Sequence, residues 1–319
     1  MVVQPDAQQA ELFEEIAVLA RERLGSKDLD AALPFIALYY AGASLEDLAE
    51  RRPDDLYGAA VAHLNHARRR TPGQPKVRAY NPQIEQHGWQ STHTIVEIVT
   101  DDMPFLVDSV RMVLNGRGYT SHLVIHPVMR VRRGQEGRIE AILPVEDPDE
   151  EGAAVEALIH IETDRQTEQA ALDGIAAEML SALGDVRAAV EDWGTMRERM
   201  RGCIEELGAL PPSVGSAERD EVKAFLEWLE DDHFPFLGYC ASRVERACGR
   251  AGLSPEPGAG LGLLRGEGEG MPQPVQELPP PGPGGAEPAE LLAITRADAR
   301  SRVHRPSHLD CIAVRQFDA

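Results

Sequence analysis

Basic residues are in short supply: 32 Lys and Arg stand against 53 Asp and Glu in 319 residues, a formal net charge of -21. Nucleic acids and anionic membranes are held by concentrated cations, so this balance excludes both as partners. Two local arginine runs, Arg68-Arg69-Arg70 and Arg130, Arg132, Arg133, read as charges at a helix end and a strand edge. Long hydrophobic runs are also missing. The longest uncharged stretch, Ala31 to Leu45, is too short to span a bilayer and contains Pro34. Met1 to Asp6 has neither the basic start nor the apolar core of a secretory signal, so the expectation is a soluble cytoplasmic protein. Cys203, Cys240, Cys248 and Cys311 form no Cys-x-x-Cys pair, which points to free thiols instead of a zinc site or a disulfide framework.

The usual catalytic signatures are absent too. The chain has no Walker loop, no Gly-x-Ser-x-Gly elbow and no His-Glu-x-x-His helix. Gly258-Ala259-Gly260-Leu261-Gly262 has the wrong spacing for a dinucleotide fingerprint and no strand before it, so it reads as loop. His63 with His66, and His122 with His126, have spacings that could share a metal, but no Cys or carboxylate cluster completes either pair. Asp231-Asp232-His233 and Arg302-Val303-His304-Arg305-Pro306 read as a helix end and a turn.

What is present is enough apolar residue, 43%, for a sizeable core and more than one domain. Residues 1–75 are expected to be a helical N-terminal segment, broken at Pro34, Gly42 and Pro53. One apolar face carries Leu12, Ile16, Leu19 and Leu24, Ser44 with Asp47 resembles a capping box, and Pro53 opens a helix through Leu56, Ala60, Leu64 and Ala67. Residues 76–184 are expected to be α+β. Thr94 to Thr100 is mostly β-branched, Phe105, Leu106, Ser109, Val110, Val113 and Leu114 recur at helical spacing, and Tyr119 to Val131 is extended. A hairpin across Arg133 to Gly137, a strand over Ala157 to Glu162 and a helix from Thr167 to Leu183 follow. Residues 185–232 read as connecting helices, 186–208 and 217–231, and residues 233–319 as an incomplete β-rich domain. That last region starts with a strand over Phe234 to Cys240, holds a Gly- and Pro-rich loop at 251–290, and ends without a closing element.

The turn Asp101, Asp102, Met103, Pro104, Phe105, Leu106 is the candidate ligand site. Asp102 is expected to cap the helix, with Pro104 in its first turn. Amide groups at a helix start attract a carboxylate, yet an Asp102 cap would occupy one of them, so a merely structural helix start and a binding site both stay open.

Five stretches resemble the large bacterial NAD-specific glutamate dehydrogenases: Thr100 to Val110, Leu123 to Pro127, Phe225 to Tyr239, Gly260 to Arg265 and Arg300 to Pro306. They follow the family's order from about residue 30 to the end. The resemblance implies an N-terminal regulatory or assembly region with an ACT-like domain of βαββαβ type at 76–184, then a PAS-like or ACT-like sheet in the incomplete domain. Asp102-x-Pro104-x-Leu106 and Gly118 fall where an ACT domain has its Asp-x-Pro-Gly-Leu turn and the glycine before its second strand, and Phe105 replaces the usual glycine. The implied parent oxidises L-glutamate with NAD to 2-oxoglutarate, ammonia and NADH in a catalytic part outside this chain. No catalytic, cofactor-binding or metal residue is therefore expected here. The implied partners are the remainder of the parent, a second copy in a homo-oligomer and an amino-acid effector. The alternatives are a free-standing ACT-type amino-acid sensor and an oligomerisation module.

Overall fold

The computed structural model describes residues 7–145, 152–209, 216–247, 250–265 and 291–316. Cys248 and most of the Gly- and Pro-rich stretch lie outside the described residues. The chain divides into two compact units, Met1–Leu183 and Gly184–Ala319.

The first unit opens with helices α1 (Ala7–Arg23), α2 (Ser26–Tyr40), α3 (Leu45–Ala49) and α4 (Pro53–Ala67). Ser44 caps α3, its Oγ accepting the Asp47 amide at 3.1 Å, and Pro53 stands in the first turn of α4. The expected break at Pro34 is not found: Pro34 lies inside α2, and the chain turns at Gly25 instead. Phe35, Ile36, Tyr39 and Tyr40 around it are buried. Burial contributes about 1.5–3 kcal/mol per large side chain, and four of them outweigh the roughly 3 kcal/mol cost of an interior proline.

Next come β1 (Lys76–Tyr80), the short α5 (Ile84–His87), β2 (Thr94–Asp101), α6 (Leu106–Gly116), β3 (Ser121–Ile125), β4 (Val128–Arg133), β5 (Ile139–Leu143) and β6 (Ala153–Thr163). They form one six-stranded sheet in the order β1-β2-β6-β4-β5, with β3 also on β6. β6 is its hub. β2 runs antiparallel along one side of it, from Thr94 opposite Thr163 to Asp101 opposite Glu156. β3 and β4 share the other side, β3 along the C-terminal half and β4 along the N-terminal half. The extended run expected over Tyr119 to Val131 is split between them at His126-Pro127, where Pro127 has no N–H for the ladder but accepts the Leu158 amide at 3.0 Å.

The βαββαβ expectation needs one correction. Among the described residues no strand returns to this sheet after the second helix. The strand flanking β2 is β1, which comes earlier in the chain. The second helix continues instead: α7 runs Gln169–Ala209 without the interruption expected near Gly184-Asp185. An isolated glycine in a helix costs about 1 kcal/mol, too little to stop one that buries residues on either side.

Side chains alternate along the strands. Val99 of β2, Leu158 of β6, Leu123 and Ile125 of β3, and Met129 and Val131 of β4 join one core with Ile16, Phe35, Tyr39, Tyr40, Leu56 and Leu64 of the helices. The helical layer thus lies on that face. The opposite face carries Val96, Ile98, Ile159 and Ile161, all fully buried, and α6 with the start of α7 remains to cover it through Leu106, Val110, Leu114, Leu172, Ile175 and Met179.

In the second unit α8 (Ser216–Trp228) ends in a π-turn at Leu229–His233. Three two-stranded ladders follow among the described residues: β7 (Gly238–Tyr239) with β10 (Leu261–Gly262), β8 (Ser242–Ala247) with β9 (Arg250–Pro255), and β11 (Leu292–Arg300) with β12 (His308–Val314). The strand expected over Phe234 to Cys240 shrinks to two residues, and the loop expected from 251 contains β9 and β10. Leu291, Leu226, Leu229, Val222 and Leu207 form the core of this unit.

Candidate functional site

The turn from Asp101 to Leu106 connects β2 to α6, and its six residues have different jobs. Asp101 accepts from Arg70 Nη2 at 2.5 Å and from the Gly73 amide at 3.1 Å, so its carboxylate faces protein. The Asp102 amide donates to the Val155 carbonyl on β6 at 3.1 Å. Leu106 is buried in the core. Asp102 and Pro104 are exposed, and Met103 and Phe105 half-buried.

Asp102 is not the N-cap. α6 begins at Leu106, and Phe105 is its cap residue, with φ 72° and ψ 1° and no side-chain hydrogen bond to the helix start. Ser109 N–H donates to the Phe105 carbonyl at 3.0 Å and so begins the helix. The reason is local: a tether from the Asp102 amide to β6 keeps that residue in strand register, and the chain must then swing through a left-handed residue to enter α6. Glycine adopts that conformation without strain, whereas phenylalanine does not. Burial holds the nearby His126 imidazole below its ordinary range, and the Asp102 charge opposes this.

Between the helical layer and the sheet lies a polar seam that sequence reading missed. Asp101 and Glu97 of β2 and Glu156, His160 and Glu162 of β6 all share the face beneath the helices, with Glu97 directly opposite His160 and Asp101 opposite Glu156. Arg70, fully shielded from solvent, donates to Glu156 at 2.7 Å. Arg133 grips the same carboxylate with two bonds of 2.6 and 2.7 Å, and its Nη1 reaches the carbonyls of Ala67 and Gly137 at 3.0 and 2.7 Å. Gly137 has φ +66°, and a Cβ there would lie 2.0 Å from the Arg70 carbonyl oxygen, so this crossing requires glycine.

Further along the seam, Arg78 Nε and the Tyr80 hydroxyl donate to Glu97 at 2.7 and 2.8 Å. Burial pushes the Glu97 carboxyl up, and Arg78 and Tyr80 oppose it. Arg51 donates to both oxygens of Glu162, at 3.1 and 2.6 Å. Burial alone would raise the Glu162 carboxyl, but the Arg51 hydrogen bonds and the neighbouring His160 hold it below the ordinary range. His63 sits 3.0 Å from the Tyr39 hydroxyl through Nδ1 and 3.1 Å from the Ile98 carbonyl through Nε2. A carbonyl only accepts, so Nε2 carries the proton and Nδ1 accepts from Tyr39. Burial, then His160, keeps His63 well below its ordinary pKa, and burial brings His160 down to about 4.

The remaining sequence candidates make contacts within the fold. His66 is brought down to about 3 by burial and the charges of Arg78 and Lys76, and its ring stands 6.4 Å from that of His63. His122 Nε2 donates to the Asp164 carboxylate at 2.7 Å and the ring lies against His93, centroids 4.4 Å apart. Among the described residues no group of three or more His, Cys, Asp or Glu is placed to hold a metal ion. The described part of the Gly-rich run, Gly258 to Arg265, holds β10, where the Gly262 amide donates to Asp192 at 2.7 Å and Arg265 binds the same carboxylate at 2.6 Å. A Cβ on Gly260 would meet the Leu264 carbonyl oxygen at 1.8 Å, so these glycines serve a tight turn. His233 closes the π-turn on the Trp228 carbonyl at 2.8 Å, and Arg302 pairs with Asp185 at 2.6 Å. The signal that could have revealed the seam is the period-two placing of Glu156, His160 and Glu162 in an otherwise apolar strand.

Comparison with known proteins bears on the same region. Residues 35–179 match the family model described as glutamate dehydrogenase, ACT1 domain. The chain is 40% identical over 304 residues to an NAD-specific glutamate dehydrogenase of Halomonas elongata, covering 93% of this chain and 19% of that protein. It is 35% identical over 312 residues to an NAD-specific glutamate dehydrogenase of Pseudomonas aeruginosa, covering 98% and 19%. A third, from Mycobacterium tuberculosis, is 24% identical over 260 residues. The chain spans about a fifth of the length of the first two relatives.

Proposed function

We propose that this chain, a member of the family of NAD-specific glutamate dehydrogenases, is the N-terminal regulatory and assembly region of such an enzyme. The parent would oxidise L-glutamate with NAD to 2-oxoglutarate, ammonia and NADH in the cytoplasm. NAD and the residues of hydride transfer would belong to its catalytic part, and this region would pair with that part and with a second copy. No helix among the described residues is long and apolar enough to cross a membrane.

The observation that carries this reading is the match of residues 35–179 to an ACT1 domain, which takes in the end of α2, α3, α4, the sheet and the Asp101 to Leu106 turn. Within that domain the turn acts chiefly as a structural joint: Asp101 is bound by Arg70 and Gly73, and Phe105 fills the position where glycine would let a ligand approach the backbone. The purified chain should form no NADH from L-glutamate and NAD, followed by absorbance. Turnover above background would contradict the assignment.

A second reading, a free-standing amino-acid sensor, draws on one feature: no side chain caps α6, so its first amides are available to a carboxylate. Calorimetry of the chain with a panel of amino acids separates the two. Saturable binding of one of them would favour the sensor.

A further inference from the structure

We infer that the cleft behind the Arg68-Arg69-Arg70 run is a binding site for a small anion, the size of phosphate or a short carboxylate. The cleft, about 200 Å³, is lined by Arg69, Arg70, Thr71, Gln74, Lys76 and Glu136. In a chain with a net charge of -21 its surroundings are an exception. Arg70 and Lys76 line it and Arg133 acts on Lys76 from nearby, the carboxylates that reach the two arginines are Asp101 and Glu156, and Arg69 and Glu136 offset each other. One positive charge is left over, and it falls on Lys76.

Lys76 Nζ donates to two carbonyl oxygens, those of His66 at 2.5 Å and Arg69 at 2.8 Å, and among the described residues it pairs with no carboxylate. An ammonium has three donors, so one stays available. Burial and the nearby Arg133 and Arg78 guanidiniums lower the Lys76 pKa, which is the response of a cation lacking its counter-ion. Deeper in, Arg70 Nε is buried with no hydrogen-bond partner. At the mouth Arg69 and Glu136 make a loose, solvated pair at 3.6 Å, with side chains 59% and 73% exposed. Such a pair contributes little, so Arg69 is free to turn onto an incoming anion. A bound monoanion would neutralise the surplus charge and take the open Lys76 donor.

The test is thermal unfolding of the 319-residue chain in sodium phosphate against sodium chloride at matched ionic strength, for wild type, Arg69→Ala and Lys76→Met. Wild type should gain Tm along a saturating curve. Each variant should need at least about tenfold more phosphate for the same gain, the loss expected for one charge-assisted hydrogen bond. If Lys76→Met does not fold, the exposed Arg69→Ala decides alone. A rise that is linear in phosphate and equal in wild type and Arg69→Ala is general salting-out and overturns the site, as does no rise at all.

Discussion

The two faces of the six-stranded sheet are covered by helices in different ways. Beneath α6 and α7 the strands present Val96, Ile98, Ile159 and Ile161, and beneath α1 to α4 they present apolar residues interleaved with Asp101, Glu97, Glu156, His160 and Glu162. An apolar face rewards any close packing, because burial is not directional. Buried ion pairs gain little net stability, since desolvation offsets most of their attraction, but they tolerate only one arrangement. The difference teaches that α6 and α7 are held on by area, whereas the helical layer is also placed by charge. Arg70 extends that placement to the Asp101 to Leu106 turn, because it binds Asp101 and Glu156 together.

The comparison can be broken most severely at Glu156. Glu156→Ala would leave Arg70 and Arg133 buried with one carboxylate fewer, and should destabilise the fold by about 3–5 kcal/mol in urea unfolding. On the other face Ile159→Ala should cost about 2–5 kcal/mol through a cavity. The two variants differ in kind. Glu156→Ala should lose stability that Ile159→Ala keeps when salt is varied, because only the first leaves uncompensated charge.

Acidification acts on the seam through its two fully buried histidines. His63 and His160 are held neutral below their ordinary value of 6.5, His160 at about 4, so unfolding takes up protons in between. Stability should therefore be flat above pH 6.5 and fall as the pH drops from there towards 4, by about 1.4 kcal/mol per pH unit for each histidine. His160→Gln should flatten the profile, and a wild-type profile without that slope would contradict the buried neutral imidazoles. The smallest effect is expected at an exposed pair. Asp28 and Arg68 meet at 2.6 Å with side chains about half exposed, and Asp28→Asn should change stability by less than about 0.5 kcal/mol.

Much of the apolar framework was legible in the sequence. The β-branched run became β2, the spacing of Phe105 to Leu114 became α6 with Leu106, Val110 and Leu114 buried, and the hairpin across Arg133 to Gly137 joins β4 to β5. Ser44, Pro53 and the Leu56 to Ala67 face were also readable, because capping and helical periodicity are local. What was not legible depends on partners far along the chain. β1 reads as charged and unstrandlike until Arg78 meets Glu97, and Glu156 reads as a surface residue until Arg70, 86 positions away, lands on it. The helix start at the turn was misplaced for the same reason: Asp102 would cap α6 were its amide not committed to Val155 on β6.

The central claim is that the seam places the helical layer and contributes little to its stability. Replacing it with apolar side chains, Arg70→Met, Arg133→Met and Glu156→Leu together, and following amide hydrogen exchange beside urea unfolding tests this directly. The predicted result is stability within about 1 kcal/mol of wild type or higher, with faster exchange confined to the 68–76 segment and the 102–109 turn. A loss of several kcal/mol with wild-type protection in those two segments would contradict it.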